Sequence, residues 1–197
     1  MPIAINEQIK KLKHDFYVEA STKYFDKYGY ENAKMSELAA ILEVSVGTIY
    51  KMFDSKENLY FEYIIAKKNH LLTQLNENAG GDPLENLKLY LRYKYEPFVA
   101  NRDSIEHTIT SDPFFFHKLN SDSSQVMSCI YDFIAKQLSN ILDQPLEECM
   151  RSAILFKKLS DGYTESYIIK KFDIINAIDE TISLFLDGRR TLKISKK

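Results

Sequence analysis

The sequence predicts an all-α protein, and three observations predict it. Apolar residues return at three- and four-residue steps along nearly the whole chain. No segment alternates with period two for long enough to make a strand. Caps and breakers cut the chain into helix-sized pieces, among them Gly29, Ser45, Ser55, Gly80-Gly81, Gln144-Pro145 and Asp187-Gly188. There is no internal repeat and no low-complexity tract.

Taken in order, Tyr17, Ser21, Tyr24, Phe25 and Tyr28 mark a first helix that Gly29-Tyr30 ends as a C-cap glycine should. A short helix over Met35–Leu42 turns Leu38, Ala39 and Leu42 inward. A third begins after Ser45, a good N-cap, and ends near Phe53. Ser55 caps a long helix from Lys56 to Asn78, with Leu59, Tyr63, Ala66, Leu71 and Leu75 near one face. After Gly80-Gly81, Asp82-Pro83 restarts the chain as cap and first helical position. The helix carrying Leu84, Leu87, Leu91 and Tyr95 then meets Pro97, which should kink or end it. Further helices are expected over 102–110, 113–119 and 124–142. Gln144-Pro145 opens another, carrying Leu146, Met150, Ala153 and Ile154, with Gly162 inside it or at its end. The last should run from Asp173 to Leu186, with Asp187-Gly188 as its stop.

At 197 residues and 45% hydrophobic, the chain is long enough for one large domain or two small ones with a real core. A disulfide-stapled miniprotein, a collagen-like chain and a disordered chain are excluded. The formal charge is −2, so no global basic field draws nucleic acid or anionic lipid, and any DNA binding must be local. Cys129 and Cys149 form no CxxC pair and read as reduced, partly buried thiols. The first residues lack the pattern of a signal peptide, and no apolar run reaches membrane-spanning length, so a cytoplasmic location is expected.

The informative stretch is 35–53, MSELAAILEVSVGTIYKMF. Two short helices are joined by a tight turn at Glu43-Val44-Ser45. Small Ala39 and Ala40 let the helices approach, while Val44, Ile49 and Phe53 close a core between them. That is the pattern of a helix-turn-helix, whose second helix enters the DNA major groove. Gly47 permits close approach to a DNA backbone, Thr48 can bond a base or phosphate, and the exposed N–H groups favour phosphate. Tyr50 and Lys51 reach phosphate or base, and Lys56 the flanking backbone. By itself the motif also fits an ordinary helical hairpin.

Its surroundings narrow the choice. Phe25…Gly29-Tyr30, Leu38-Ala39, the run Val44-Ser45-Val46-Gly47-Thr48-Ile49-Tyr50-Lys51-Met52-Phe53 and Ser55-Lys56-Glu57-Asn58-Leu59 follow in order. In these residues the first third of the chain resembles the TetR family of bacterial transcriptional regulators. The resemblance implies a three-helix DNA-binding domain over 1–55, a connecting helix over 56–79 and a helical ligand-binding and dimerisation domain over 80–197. It also implies a DNA-binding set of Lys34, Ser36, Ser45, Val46, Gly47, Thr48, Tyr50, Lys51 and Lys56.

Two positions depart from the family pattern. Lys34 stands where Thr or Ser would form a capping box with Glu37, so Asn32 or water should take over the cap. Val46 is apolar where a polar residue is common, which suggests contact with a thymine methyl. Residues 1–56 carry eight lysines and eight acids, so this unit has no net positive charge. Lys10, Lys11 and Lys13 either reach DNA or form a solvated helix face, the second being favoured.

For the rest of the chain the resemblance implies a homodimer bound to a palindromic operator and released by a small apolar or aromatic effector. Leu91, Tyr95, Phe98, Phe115, Tyr131, Ile134 and Phe156 are the candidate pocket residues. Ala153, Ile154, Ile175, Ile178, Ile182 and Phe185 are the candidate dimer contacts. An enzymatic reading finds no HExxH, phosphate loop or GxSxG elbow. His107 and His117 around Asp112 read as surface histidines at a turn, and neither metal nor cofactor is expected. The predicted function is a DNA-binding regulator, most simply a ligand-released repressor. The alternatives are an activator, an inducer-free DNA-bound regulator, and a helical ligand-binding or scaffold protein that has lost DNA binding.

Overall fold

The computed structural model describes residues 5–100, 102, 125–170 and 172–194, and these are helical with short connections. Eight helices occur among them: α1 (Ile5–Asn32), α2 (Met35–Ile41), α3 (Val46–Phe53), α4 (Lys56–Asn78), α5 (Pro83–Ala100), α6 (Gln125–Leu142), α7 (Leu146–Lys170) and α8 (Ala177–Ile194). No strand is present among the described residues. Apart from Arg102, the helices expected over 102–110 and 113–119, together with Phe115, His107, Asp112 and His117, lie outside the described residues.

The chain divides into two compact units, and α4 contributes to both. Residues up to Lys68 belong to the first, while Asn69–Arg102 and the described residues from Gln125 onward belong to the second. In the first unit, Tyr17, Tyr24 and Phe25 of α1 meet Leu38 and Ala39 of α2, Ile49 and Phe53 of α3, and Leu59, Tyr60 and Tyr63 of α4. Tyrosine hydroxyls and lysines ring this core. Tyr63 donates to Asp26 Oδ1 at 2.8 Å, and Lys67 reaches Asp26 Oδ2 at 3.0 Å.

Gly29 breaks α1 as expected, with φ 68° and ψ 178°, before one further helical turn to Asn32. That region of backbone space is open essentially to glycine alone. Gly29→Ala is therefore expected to cost about 1–3 kcal/mol, read as a lower urea midpoint at unchanged slope.

In the second unit α6 packs along α7, α5 lies against both, and α8 covers α5 and α7. Asp82 caps α5 through Leu84 N at 2.8 Å. Buried Asn86 grips Gly80 through both its amide atoms and reaches Gln137 Oε1 at 3.0 Å, so the Gly80-Gly81 break is pinned to α6.

Two boundaries differ from expectation. α5 runs through Pro97 to Ala100. Pro97 stands in the last turn, where a missing N–H forfeits one backbone bond and no more. The last helix starts later and runs further than 173–186. Asp173 accepts the N–H groups of Ile175 and Asn176, both at 3.1 Å, which holds 173–176 as a turn and delays the helix to Ala177. At the other end Asp187-Gly188 does not stop it, and α8 continues to Ile194.

Candidate nucleic-acid interface

The turn between α2 and α3 is built from backbone bonds. Glu43 adopts a left-handed φ of 55°, Glu43 N donates to Ala40 O, and Val44 N donates to Ala39 O at 2.9 Å. These are the paired bonds of a Schellman stop, here with a non-glycine residue at its left-handed position. Ser45 then starts α3 as N-cap. Its Oγ accepts from Thr48 N at 3.1 Å and pairs with Thr48 Oγ1 at 2.8 Å. Ile49 and Phe53 are buried and anchor the helix, while Gly47, Tyr50 and Lys51 face solvent.

Val46 and Thr48 are half-buried, Val46 against the core of the unit, so its side chain is divided between packing and the exposed edge. At Gly47 an added Cβ would meet nothing tighter than Ser45 Oγ at 3.7 Å. The protein's own packing therefore does not demand glycine there.

The start of α2 resolves the anomaly at Lys34. Neither its side chain nor Asn32 caps the helix. The phenol of Tyr24, reaching across from α1, accepts from Lys34 N at 3.0 Å and donates to Glu37 Oε2 at 2.9 Å. Lys34 Nζ then closes on Glu37 Oε1 at 3.0 Å. The lysine ammonium, and after it the Tyr24 hydroxyl, hold the Glu37 carboxyl below the usual carboxylate range. Tyr24 is thus a positioning residue that the sequence registered only as one more aromatic in the apolar repeat. The missing capping residue at 34 was the signal that another group had to do this work.

Ser36 is exposed beside Lys34. Lys56 is turned inward, donating to Glu31 O at 3.3 Å and lying 4.6 Å from the centre of the Tyr30 ring. Burial lowers its pKa. Lys10, Lys11 and Lys13 are all exposed on the amino-terminal turns of α1.

The exposed row on α3, its capped start, and Lys34 and Ser36 at the head of α2 lie on the segment that the family comparison selects. The model for bacterial regulatory proteins of the tetR family matches residues 18–63, from mid-α1 into α4. Over these residues the chain is similar to the TetR family. Among curated proteins, an HTH-type transcriptional regulator of Staphylococcus aureus is 36% identical over 117 residues, covering 58% of this chain and 61% of that protein. The chain thus spans less than two thirds of that relative's length. The HTH-type transcriptional repressor KstR of Rhodococcus jostii is 21% identical over 192 residues, covering 94% of this chain and 89% of KstR. Among solved structures, FadR of Thermus thermophilus, a TetR-family repressor in complex with lauroyl-CoA, superposes with a TM-score of 0.64 at 19% identity. That superposition covers 89% of this chain and 94% of FadR. At such identity it carries the TetR fold and no more.

The residues expected to bind an effector fall in the second unit. Leu91, Tyr95, Ile134 and Phe156 are fully buried on α5, α6 and α7, with Phe98 and Tyr131 half-buried. Of the expected dimer residues, Ala153, Ile178 and Ile182 turn into this unit's own core. Phe185 is half-buried against Phe156, its ring centre 5.1 Å away, and Ile175 sits in the turn before α8. Only Ile154 of that set is exposed. Further exposed apolar side chains are Leu146, Leu155 and Ile169 on α7 and Leu184 on α8, the last three of which the sequence reading missed. Helical spacing marks a stripe without saying which side of the helix is covered. Among the described residues no group of three His, Cys, Asp or Glu side chains could hold a metal ion. No helix described is long and apolar enough to cross a membrane.

Proposed function

We propose that the chain is a sequence-specific, DNA-binding transcriptional regulator that acts as a homodimer on a palindromic operator and releases it when a small effector binds the second unit. The observation that carries this reading is the exposed start of α3. Its N-cap is rigid, its glycine has no internal reason to be glycine, and Tyr50 and Lys51 stand free of the core. Two such helices one DNA turn apart would read the halves of a palindrome. Ser45, Thr48, Tyr50 and Lys51 meet backbone and base edges, with Lys34, Ser36 and Lys56 at the flanking phosphates. Lys34 and Lys56 reach phosphate only by leaving Glu37 and Glu31, so their contributions are small.

Gly47→Ala tests this reading because folding and binding should part company. The variant is expected to fold at least as well, since Ala is favoured over Gly in a helix by about 1 kcal/mol. Operator binding should fall at least tenfold, because the methyl fills the space a DNA backbone needs. Unchanged affinity would remove Gly47 from the interface.

The dimer face falls to the exposed side of α7 and α8, on Ile154, Leu155, Ile169 and Leu184, since Ala153, Ile178 and Ile182 are committed to the core. Sedimentation at micromolar concentration is expected to give twice the 23.0 kDa chain mass. Effector release is supported by the full-length similarity to a named repressor and by the acyl-CoA complex of a structural neighbour. A regulator reading rather than an enzymatic one is supported by the tetR-family match over residues 18–63.

A further inference from the structure

The core of the second unit holds a charged cluster that packing alone does not need. Lys94 of α5 and Lys157 of α7 converge on one carboxylate, with Nζ of Lys94 2.6 Å from Asp161 Oδ1 and Nζ of Lys157 2.8 Å from Oδ2. Lys94 also donates to Ser160 Oγ at 2.5 Å. Its third N–H has no acceptor among the described residues. Beside it on α5, Tyr95 is fully buried, and its hydroxyl has no hydrogen-bond partner among the described residues. The nearby Thr181 hydroxyl donates to Ala177 O at 2.7 Å.

Such an arrangement is costly. A buried ion cluster is commonly matched or bettered in stability by apolar residues of the same volume, and an unbonded buried hydroxyl is a further cost. Two ammonium groups share one carboxylate, so the three side chains carry one net positive charge that an arriving anion would offset. Burial lowers the pKa of Lys94 to about 8, against the pull of Asp161. The cluster is not sealed, since the Lys94 and Asp161 side chains keep 11% and 14% of their exposure. Aromatic side chains flank it: the Tyr90 ring lies 5.9 Å from Lys94 Nζ and 6.3 Å from the ring of Phe156.

We propose that this cluster is the anion-binding end of the effector site, so that the effector is an amphiphile carrying a carboxylate or phosphate group. One anionic oxygen takes the third N–H of Lys94 and another accepts the Tyr95 hydroxyl. Asp161 and Ser160 hold Lys94 in place, and the apolar body of the ligand lies against Tyr90 and Phe156. This rests on the reading of the second unit as effector-binding.

The test is calorimetric titration of the full chain, without DNA, with dodecanoate, dodecyl phosphate and 2-naphthoate, each matched to its neutral alcohol. At least one anion is expected to bind about tenfold or more tighter than its alcohol, the acid and phosphate arms telling the two headgroups apart. Lys94→Met and Tyr95→Phe should each lose about tenfold for that anion, while Lys158→Met, an exposed neighbour, should change little. Lys94→Met leaves the Lys157–Asp161 pair intact and Tyr95→Phe removes one unbonded oxygen, so both variants should fold, as melting curves would verify. Acid and alcohol binding alike, no ligand of the panel binding, or an anion affinity unmoved in both variants would each overturn the proposal. Because no DNA is present, failure here leaves the operator-binding reading standing, and the reverse also holds.

Discussion

Asp161→Asn is expected to destabilise the second unit by about 3–5 kcal/mol, the cost of removing one partner from a buried ion pair. The amide keeps the shape and leaves the ammonium groups of Lys94 and Lys157 without the carboxylate they share. Native Asp161 is held below the usual carboxylate range by those two lysines, against the opposing effect of burial. A chemical denaturation series at pH 7 checks the loss. A change below 1 kcal/mol would show that the cluster is far better solvated than its burial implies.

The same cluster sets an unusual pH response. Lys94 titrates near 8 in the folded chain, below the ordinary lysine value of 10.5. Between those values the unfolded chain binds more protons, so stability should rise with pH from about 8 to 10. Above 10 the raised pKa values of the buried tyrosines, Tyr60, Tyr63 and Tyr90 among them, act in the opposite sense. Lys94→Met should flatten the rise between pH 8 and 10. A wild-type curve that falls over that interval would contradict the account of Lys94.

Phe25→Ala is the second large effect, about 3–5 kcal/mol for an aromatic removed from a packed core. Phe25 is 2% exposed, and its ring sits 5.0 Å from that of Tyr60 at 82° and 5.4 Å from that of Tyr63. It is therefore one of the points where α1 meets α4, and it belongs to the core that also holds Ile49 and Phe53 of α3. The expected result is loss of the first unit's cooperative unfolding, followed by tyrosine fluorescence because the chain has no tryptophan. Operator binding should be lost with it. A variant that unfolds with the wild-type midpoint would mean this core relaxes around the cavity.

How much of this was legible beforehand depended on the kind of signal. The segment from α2 to α3 could be read almost residue by residue, because its caps, small residues and buried positions are local and fall within 20 positions. The Lys34 anomaly was visible too, but its solution came from Tyr24, ten residues earlier, and no local pattern couples a phenol on one helix to the start of the next. The limits of α5 and α8 were misjudged for a related reason. Pro97 sits in the last turn of its helix, where few backbone bonds depend on it, Gly188 costs a helix interior only about 1 kcal/mol, and an Asp173 turn competes with a helical start. In α7 and α8 the apolar stripes were found, yet which side faced the core was not. The family resemblance made Ala153 and Ile182 candidate dimer contacts, whereas the fold buries them and exposes Leu155 and Leu184. The Lys94–Asp161–Lys157 cluster could not be seen in the sequence, since its parts lie 63 and 67 residues apart or on one helix face rich in ordinary surface charges.

The most direct test of the central claim is selection of bound duplexes from a random DNA library by the purified full chain at moderate salt. The account predicts enrichment of one palindromic sequence with half-sites about one helical turn apart, with binding that weakens steeply as salt is raised. A folded, dimeric protein that enriches no sequence, before and after refolding without ligand, would contradict it.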